Sequence, residues 1–195
     1  GLHLTLMFEA MSRGELNALY VIGENPADSE ADVLRARALL QDLDFLIVQD
    51  IFMTKTARYA DVVLPASVGW VEADGTVTSS ERRVQRVRAA LVPPKGARAD
   101  HEIIGDLAMR LGATWQAQTP EELWDELRSI SPMHAGMSYA RLEENNGLQW
   151  PCPDLDHPGT PFLHGWLWEE GLSGHDPAPF SLTTHEGPKE TLSEE

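Results

Sequence analysis

The sequence predicts an α/β fold built on a doubly wound, mostly parallel sheet, and residues 21–67 carry this prediction. Three short apolar runs, which end at Ile22, Val48 and Leu64, are each followed directly by polar or proline-containing loops. A segment with helical spacing lies between the first two runs. Such alternation is typical of parallel sheets, which bind ligands beyond the carboxyl ends of their strands. We therefore expect the three loops to lie along one edge of the sheet.

The first part of the chain should contain two helices, three strands and a short helical turn. In order, these are a helix over 4–12, a strand over 16–22, a helix ending near 43, a strand over 45–48, a turn within 54–60 and a strand over 62–64. Asp28 or Ser29 can cap the second helix, because their side-chain oxygens accept backbone N–H groups. The strand positions expected in the core are Ile22, Ile47, Val48 and Val63.

After the third strand the pattern changes to two extended segments, 69–78 and 83–87, around an Asp74-Gly75 turn signal. A helix over residues 100–111 follows, and Thr119 with the next three residues forms the cap and acidic first turn of another. The basic run at 82–88 is interpreted as a solvated strand face, with an anion site as the alternative. We expect no internal repeat.

These assignments predict one α/β domain over residues 1–149, with its core over residues 1 to about 112, and an irregular linker over residues 150–195. In the linker, prolines, glycines and Asp or His residues recur without periodicity. Residues 169–195 contain too few apolar side chains to build a core.

Composition excludes several classes of function. With 31 acidic and 15 basic residues, the net charge of −16 disfavours nucleic-acid phosphates and anionic membranes as partners. No apolar run approaches the roughly 20 residues of a membrane span, so we expect no membrane insertion. The lone Cys152 excludes an internal disulfide and favours a cytoplasmic compartment. The seven histidines lack ligand spacing, so we expect no metal site.

Two loops of the predicted edge contain candidate binding groups. The loop Gly23-Glu24-Asn25-Pro26 precedes a helix, so its backbone amides, the Asn25 amide and the Ser29 hydroxyl can face a phosphate or ribose. A plain strand-to-helix turn is the alternative there. Gln49-Asp50 follows a central strand, where a carboxylate is costly to hold unless a group donates to it. Asp50 could accept N–H donors of a ligand, or it could cap the turn at 54–60.

Six stretches of sequence are specific enough to indicate a family. They are GENP, IVQDIFMTKTARYADVVLP, DGTVTSSERRVQRVRAALVPP, DHEIIGDLAMRLG, EELWDELR and LQWPCPD. Together they resemble the molybdopterin-guanine-dinucleotide oxidoreductases of the dimethyl sulfoxide reductase superfamily, and within it the catalytic subunit of formate dehydrogenase. The resemblance covers nearly the whole chain, whereas a complete subunit of that family is several times longer.

The resemblance implies a Rossmann-like domain that binds the guanosine end of one molybdopterin guanine dinucleotide. Asp50 would read the guanine base, with Gln49 beside it. Ala66 would offer only a backbone contact, because some relatives have a serine where this chain has no hydroxyl. Asp100 matches a family acid near the guanosine, and a plain N-cap is the alternative.

For the intact protein, the resemblance implies oxidation of formate to carbon dioxide at a molybdenum or tungsten ion. It also implies a 4Fe-4S cluster held by four N-terminal cysteines, with the other domains of the subunit and electron-transfer subunits as partners. Cys152 alone cannot replace these ligands, so we expect an inactive internal fragment. The competing interpretations are another molybdopterin oxidoreductase such as a nitrate reductase, a stand-alone nucleotide-binding module, or a structural interaction domain.

Overall fold

The computed structural model describes residues 1–164, and these residues form two compact units. The first unit contains residues 1–68 and 92–113, and the second contains residues 69–91 together with the described residues from 114 onward. The predicted core up to about residue 112 is therefore interrupted. The domain boundary predicted between residues 149 and 150 stays a prediction. The predicted linker beyond residue 164 lies outside the described residues.

The first unit is a parallel three-stranded sheet with helices. Its elements are α1 (Leu4–Ser12), β1 (Ala18–Ile22), α2 (Pro26–Ser29), α3 (Val33–Gln41), β2 (Phe45–Asp50), a 3₁₀ turn (Thr56–Arg58), β3 (Val62–Pro65) and α4 (Asp100–Arg110). The strand order is β1-β2-β3, with both pairs parallel. These elements confirm the predicted α/β class with a parallel sheet.

One face of this sheet packs against the helices that precede its strands. The buried residues of this core are Phe8, Met11, Val21, Ala27, Ala36, Leu40, Leu46, Val48 and Ala57. Side chains alternate between the two faces of a strand, so Leu46 and Val48 share the core face. Burial of a side chain such as Leu40 or Leu46 contributes about 1.5–3 kcal/mol each.

The burial predicted for the strands is only partly correct. Val48 is fully buried, whereas Ile47 and Val63 are half-buried and Ile22 is exposed. Ile22 lies on the edge strand, and its side chain alternates with that of Val21, which takes the core side. The apolar sequence of residues 16–22 predicted a buried strand, but in the structure only the side of β1 that includes Val21 is buried.

The expected start of the second helix is also wrong. Asp28 and Ser29 lie within α2, a separate turn that begins at Pro26, as is common at the first helical position. The cap of α3 is Asp32, whose Oδ1 accepts a hydrogen bond from Arg35 N at 3.0 Å. The side chain that caps this helix is thus one turn later than the sequence suggested.

The second unit is built around a small antiparallel sheet. Its elements are β4 (Gly75–Thr78), β5 (Arg83–Val87), α5 (Pro120–Ile130), α6 (Tyr139–Glu144) and β6 (Leu148–Gln149), with sheet order β4-β5-β6. The turn between β4 and β5 lies at residues 79–82, in the gap between the two predicted extended segments, and the first strand begins at Gly75 and not at residue 69. Ser79 N donates to Arg83 O at 2.9 Å, and Arg82 has a positive φ of 69°. Asp74 instead accepts from Ala89 N at 2.8 Å.

A buried tryptophan anchors the helix α5 in this unit. The predicted capping box is present, because Thr119 accepts from Glu122 N and donates its own N–H to Glu122 Oε2. Trp124 is buried, and its Nε1 donates to the carbonyl oxygen of Met137 at 2.6 Å. Since Met137 is fully buried, water cannot replace this donor. Cys152 is fully buried in the same core.

We expect Trp124→Phe to lower the free energy of unfolding by about 1–3 kcal/mol, because it leaves the buried Met137 carbonyl without a donor. The matched control is Trp115→Phe, since Trp115 is exposed and the change should stay within about 0.5 kcal/mol. Urea unfolding of the two variants measures both values. Equal losses would show that the hydrogen bond of Trp124 does not contribute.

Candidate functional site

The three candidate loops lie at one edge of the parallel sheet, as predicted. Ile22 is opposite Gln49, and Asp50 is opposite Pro65. The first residue after β1 continues the ladder, because Gly23 N donates to Gln49 O at 2.8 Å. Ala66 N likewise donates to Asp50 O at 3.1 Å. The carboxyl ends of all three strands therefore meet, which is the usual ligand position in such sheets.

In the first loop, Asn25 joins two loops of the edge to each other. Its Oδ1 accepts from Thr56 N at 3.1 Å and from Thr56 Oγ1 at 2.8 Å. Its Nδ2 donates to Asp28 Oδ2 at 3.0 Å, and the Ser29 hydroxyl donates to the Asn25 carbonyl at 3.2 Å. The side chains expected to face a phosphate thus bond within the protein. Gly23, with a φ of 64°, adopts a conformation that favours glycine, and its neighbour Glu24 is exposed.

Asp28 gathers two cations beside this loop. Lys55 Nζ lies 2.6 Å and Arg37 Nη2 lies 3.0 Å from its Oδ1. The hydrogen bond from Lys55 is the main cause that lowers the pKa of the Asp28 carboxyl, and those from Asn25 and Arg37 add to it. Arg37 Nε also donates to Ala27 O at 2.8 Å. The loop before α3 is therefore fixed by an ionised carboxylate.

Gln49 is the most deeply buried polar side chain of the edge. It is fully buried, its Oε1 accepts from the Tyr20 hydroxyl, and its Nε2 donates to Asp100 Oδ1 at 2.5 Å. Burial raises the pKa of Tyr20, and the negative charge of Asp100 raises it further. The amide orientation follows, because the carboxylate of Asp100 can only accept. Gln49 therefore joins β1, β2 and α4.

Asp50 is half-buried and has one oxygen open. Its Oδ1 accepts from Phe52 N at 3.1 Å. Among the residues that the structure describes, its Oδ2 has no hydrogen-bond partner. The alternative that Asp50 caps the turn at 54–60 is wrong, because Thr54 Oγ1 accepts from Ala57 N there at 3.1 Å. A carboxylate at a strand end thus remains available as an acceptor.

Asp100 is the first helical residue of α4. The N-cap position of this helix is occupied by Ala99, which makes no side-chain capping bond. The alternative that Asp100 is a plain N-cap is therefore wrong. Its carboxylate is exposed and, besides its bond to Gln49, can accept further donors. Charge also suits this position, because an acid in the first turn interacts favourably with the helix dipole.

The third loop contains a residue that sequence reasoning missed. Ala66 is buried and pairs in a parallel bridge with Arg98, and Ser67 N donates to Arg98 O at 2.8 Å. The Ser67 hydroxyl is buried and, within residues 1–164, has no hydrogen-bond partner. Tyr20 was missed as well. The period-two pattern places it on the Gln49 side of β1, but only the folded chain shows its hydroxyl reaching the amide.

Taken together, the described residues of the edge present several open hydrogen-bond acceptors. Glu24, Asp50 and Asp100 are carboxylates that can receive N–H or O–H donors of a ligand. Within residues 1–164, no three His, Cys, Asp or Glu side chains are grouped so that they could hold a metal ion. No helix among these residues is long and apolar enough to cross a membrane.

Comparison with known proteins gives a consistent match. The profile of the family described as Molybdopterin oxidoreductase matches residues 1–110. The chain is 42% identical over 183 residues to the F420-dependent formate dehydrogenase 2 subunit alpha of Methanococcus maripaludis, covering 93% of this chain and 26% of that protein. It is 47% identical over 148 residues to the F420-dependent formate dehydrogenase subunit alpha of Methanocaldococcus jannaschii, covering 75% of this chain and 22% of that protein.

A solved structure supports the fold. Acetylene hydratase from Pelobacter acetylenicus superposes with a TM-score of 0.57 at 24% identity, over 75% of this chain and 20% of that one. At this identity the likeness shows the fold alone. The chain spans about a quarter of the length of the two curated relatives.

Lys55→Met should raise the pKa of the Asp28 carboxyl toward its ordinary value, because it removes the largest cause of the lowered pKa. Because folding lowers this pKa, the ionised Asp28 stabilises the folded state at pH values above its ordinary pKa. This stabilisation is lost as the pH falls through the lowered pKa. NMR titration of the Asp28 carboxyl measures the midpoint. Lys95→Met is the matched control, because Lys95 is exposed and has no such contact with Asp28. An unchanged midpoint in Lys55→Met would contradict the assignment.

Proposed function

The chain belongs to the molybdopterin oxidoreductase family, and on that premise we propose that its sheet edge binds the guanosine end of a molybdopterin guanine dinucleotide. The observation that carries this proposal is the open carboxylate oxygen of Asp50 at the end of β2. A guanine edge has a ring N–H next to an exocyclic amino group, and one carboxylate can accept both. Oδ1 has a second lone pair besides the one used by Phe52 N, so both oxygens of Asp50 can take part.

The surrounding residues fit a nucleoside. Gln49 has no free amide group for the ligand, because Tyr20 and Asp100 use both ends of its side chain. Its role in this proposal is to hold the Asp100 carboxylate in place, where that group can accept a ribose hydroxyl. The backbone at Gly23 and Ala66 and the buried hydroxyl of Ser67 line the ends of the outer strands. Glu24 is exposed on the first loop and can accept a further donor.

The remaining candidates take a supporting role. The Ser29 hydroxyl bonds to the Asn25 carbonyl in the same loop, and Asn25 Oδ1 bonds to Thr56 in the loop after β2, so in this proposal both residues shape the edge, and the second N–H of the Asn25 amide can still donate to a phosphate. Asp28 holds Lys55 and Arg37 close to the same loop. These two cations favour a ligand whose phosphates lie on the α3 side of the edge, since cations attract phosphate.

We further propose that the intact protein is a formate dehydrogenase catalytic subunit, as its relatives are named alpha subunits of formate dehydrogenases. When bound, the cofactor supplies a molybdenum or tungsten ion that accepts two electrons from formate. The proposal includes a 4Fe-4S cluster outside this chain, contacts with the other domains of the subunit, electron-transfer subunits and a cytoplasmic compartment. A stand-alone nucleotide-binding module is the second candidate, since the Asp50 edge by itself would suit a guanine nucleotide.

Asp50→Asn should weaken GMP binding about tenfold to a hundredfold, since loss of a charge-assisted hydrogen bond costs about 1.5–3 kcal/mol. Wild-type protein should bind GMP more tightly than AMP, which lacks the donor pair. Titration calorimetry measures both affinities. Asp44→Asn is the matched control, because Asp44 is an exposed acid that precedes β2 at the opposite edge of the sheet. Equal affinity for GMP and AMP, or equal GMP binding by both variants, would remove Asp50 from the role of reading the base.

The 195-residue chain should oxidise no formate and should retain far less than about one metal ion per chain after dialysis, because four thiolates hold a cluster and the chain has one cysteine. That cysteine, Cys152, is fully buried and is not exposed to a ligand. Elemental analysis and a formate oxidation assay with an artificial acceptor test this expectation. A stoichiometric metal that survives dialysis, or turnover above background, would contradict it.

A further inference from the structure

A chain of side-chain hydrogen bonds links strand β1 to helix α4. The Tyr20 hydroxyl on β1 donates to Oε1 of Gln49 on β2, and Nε2 of Gln49 donates to Oδ1 of Asp100 at 2.5 Å. Gln49 is fully buried, whereas Tyr20 is 36% exposed and Asp100 is exposed. Both ends of the chain therefore reach the surface, and a buried amide connects them.

The Tyr20 hydroxyl determines where the side chain of Gln49 points. A buried amide needs a donor for its oxygen as well as an acceptor for its nitrogen. Without Tyr20, the buried side-chain oxygen would turn toward another donor, and Nε2 would leave Asp100. Bonds in a chain also polarise one another, so the bond from Tyr20 strengthens the donation from Gln49 to the carboxylate. Burial and then the charge of Asp100 raise the pKa of Tyr20, so its hydroxyl keeps the proton that it donates.

Asp100 has one carboxylate oxygen that is open to a ligand. Its Oδ1 accepts from Gln49, and among residues 1–164 its Oδ2 has no hydrogen-bond partner. A carboxylate only accepts and repels phosphate, so it suits neutral donors such as the hydroxyl groups of a ribose. Asp50 is the next residue of β2 after Gln49, so side-chain alternation separates it from the Gln49–Asp100 pair. One nucleoside at this strand end can therefore meet one acid with its base and the other with its sugar.

We propose that Tyr20 is a positioning residue that makes this edge selective for ribose over deoxyribose. Through Gln49 it holds the Asp100 carboxylate in the orientation in which Oδ2 accepts a ribose hydroxyl. The inference rests on the proposed binding of guanosine at this edge, and it concerns the sugar, which the contact of Asp50 does not read. Base and sugar are then recognised by separate groups, so their contributions to affinity can be changed independently.

Tyr20→Phe should remove ribose selectivity and leave base selectivity unchanged. The wild-type chain should bind GMP about tenfold to a hundredfold more tightly than dideoxy-GMP, an analogue that lacks both ribose hydroxyls and with them the bond to Asp100. In Tyr20→Phe this ratio should fall below about threefold, whereas the preference for GMP over AMP should persist. Tyr59→Phe is the matched control, because Tyr59 packs against the core of the same unit and takes no part in the bonds of Gln49. Titration calorimetry measures these affinities.

A double variant separates positioning from stability. Tyr20→Phe alone leaves a buried oxygen of Gln49 unpaired, so it should lower Tm. Adding Gln49→Met replaces both bonding partners by apolar groups of similar size, so it should recover the lost Tm. Ribose selectivity should stay lost in the double variant, because no amide is left to hold Asp100. A merely structural role of Tyr20 would instead restore ribose selectivity together with Tm.

The results distinguish this inference from the proposed function. Unchanged ribose selectivity in Tyr20→Phe, or selectivity regained in the double variant, would overturn the role of Tyr20 and leave the base contact of Asp50 intact. Equal binding of GMP and dideoxy-GMP by the wild type would do the same. Equal binding of GMP and AMP with ribose selectivity intact would overturn only base reading by Asp50. Absence of GMP binding by the wild type would overturn both.

Discussion

The geometry of the candidate site depends on a single buried amide. Gln49 is fully buried at the end of β2, and a buried amide must have partners for both its oxygen and its nitrogen. Tyr20 on β1 donates to the oxygen, and Asp100 on α4 accepts from the nitrogen. The need to satisfy one side chain therefore fixes the position of a helix relative to two strands, and it places a carboxylate at the sheet edge.

A second polar joint fixes the loops in the same way. Asn25 accepts two hydrogen bonds from Thr56 and donates one to Asp28, so the loops after β1 and β2 are held together. Groups that already bond internally shape the site, and groups with spare capacity are left for a ligand. Asp50 is in the second class, because one of its oxygens has no partner among the described residues. For this reason the polar loop after β1, whose side chains bond within the protein, offers fewer free groups to a ligand than its sequence suggests.

The two faces of the parallel sheet have different roles. The face that includes Val21, Leu46 and Val48 is buried under helices of the same unit and supplies its stability. The opposite face also contains apolar side chains, of which Tyr20, Ile22, Phe45 and Val62 are partly exposed. A sequence of apolar residues cannot distinguish these two situations, because it does not show which face of a strand the helices cover.

The sequence alone determined the α/β class, the parallel strands and the meeting of three loops at one edge, because short apolar runs with polar ends encode these features locally. It also identified the capping box of Thr119 and Glu122, whose bonds span only three residues. It failed where several polar residues could make the same bond or where the partner is distant in sequence. Asp32 and not Asp28 caps α3, and Gln49 bonds to Tyr20 and Asp100, which are 29 and 51 residues away. Only the tertiary structure decides such contacts, because the cost of burying a polar group depends on the partners that folding brings to it.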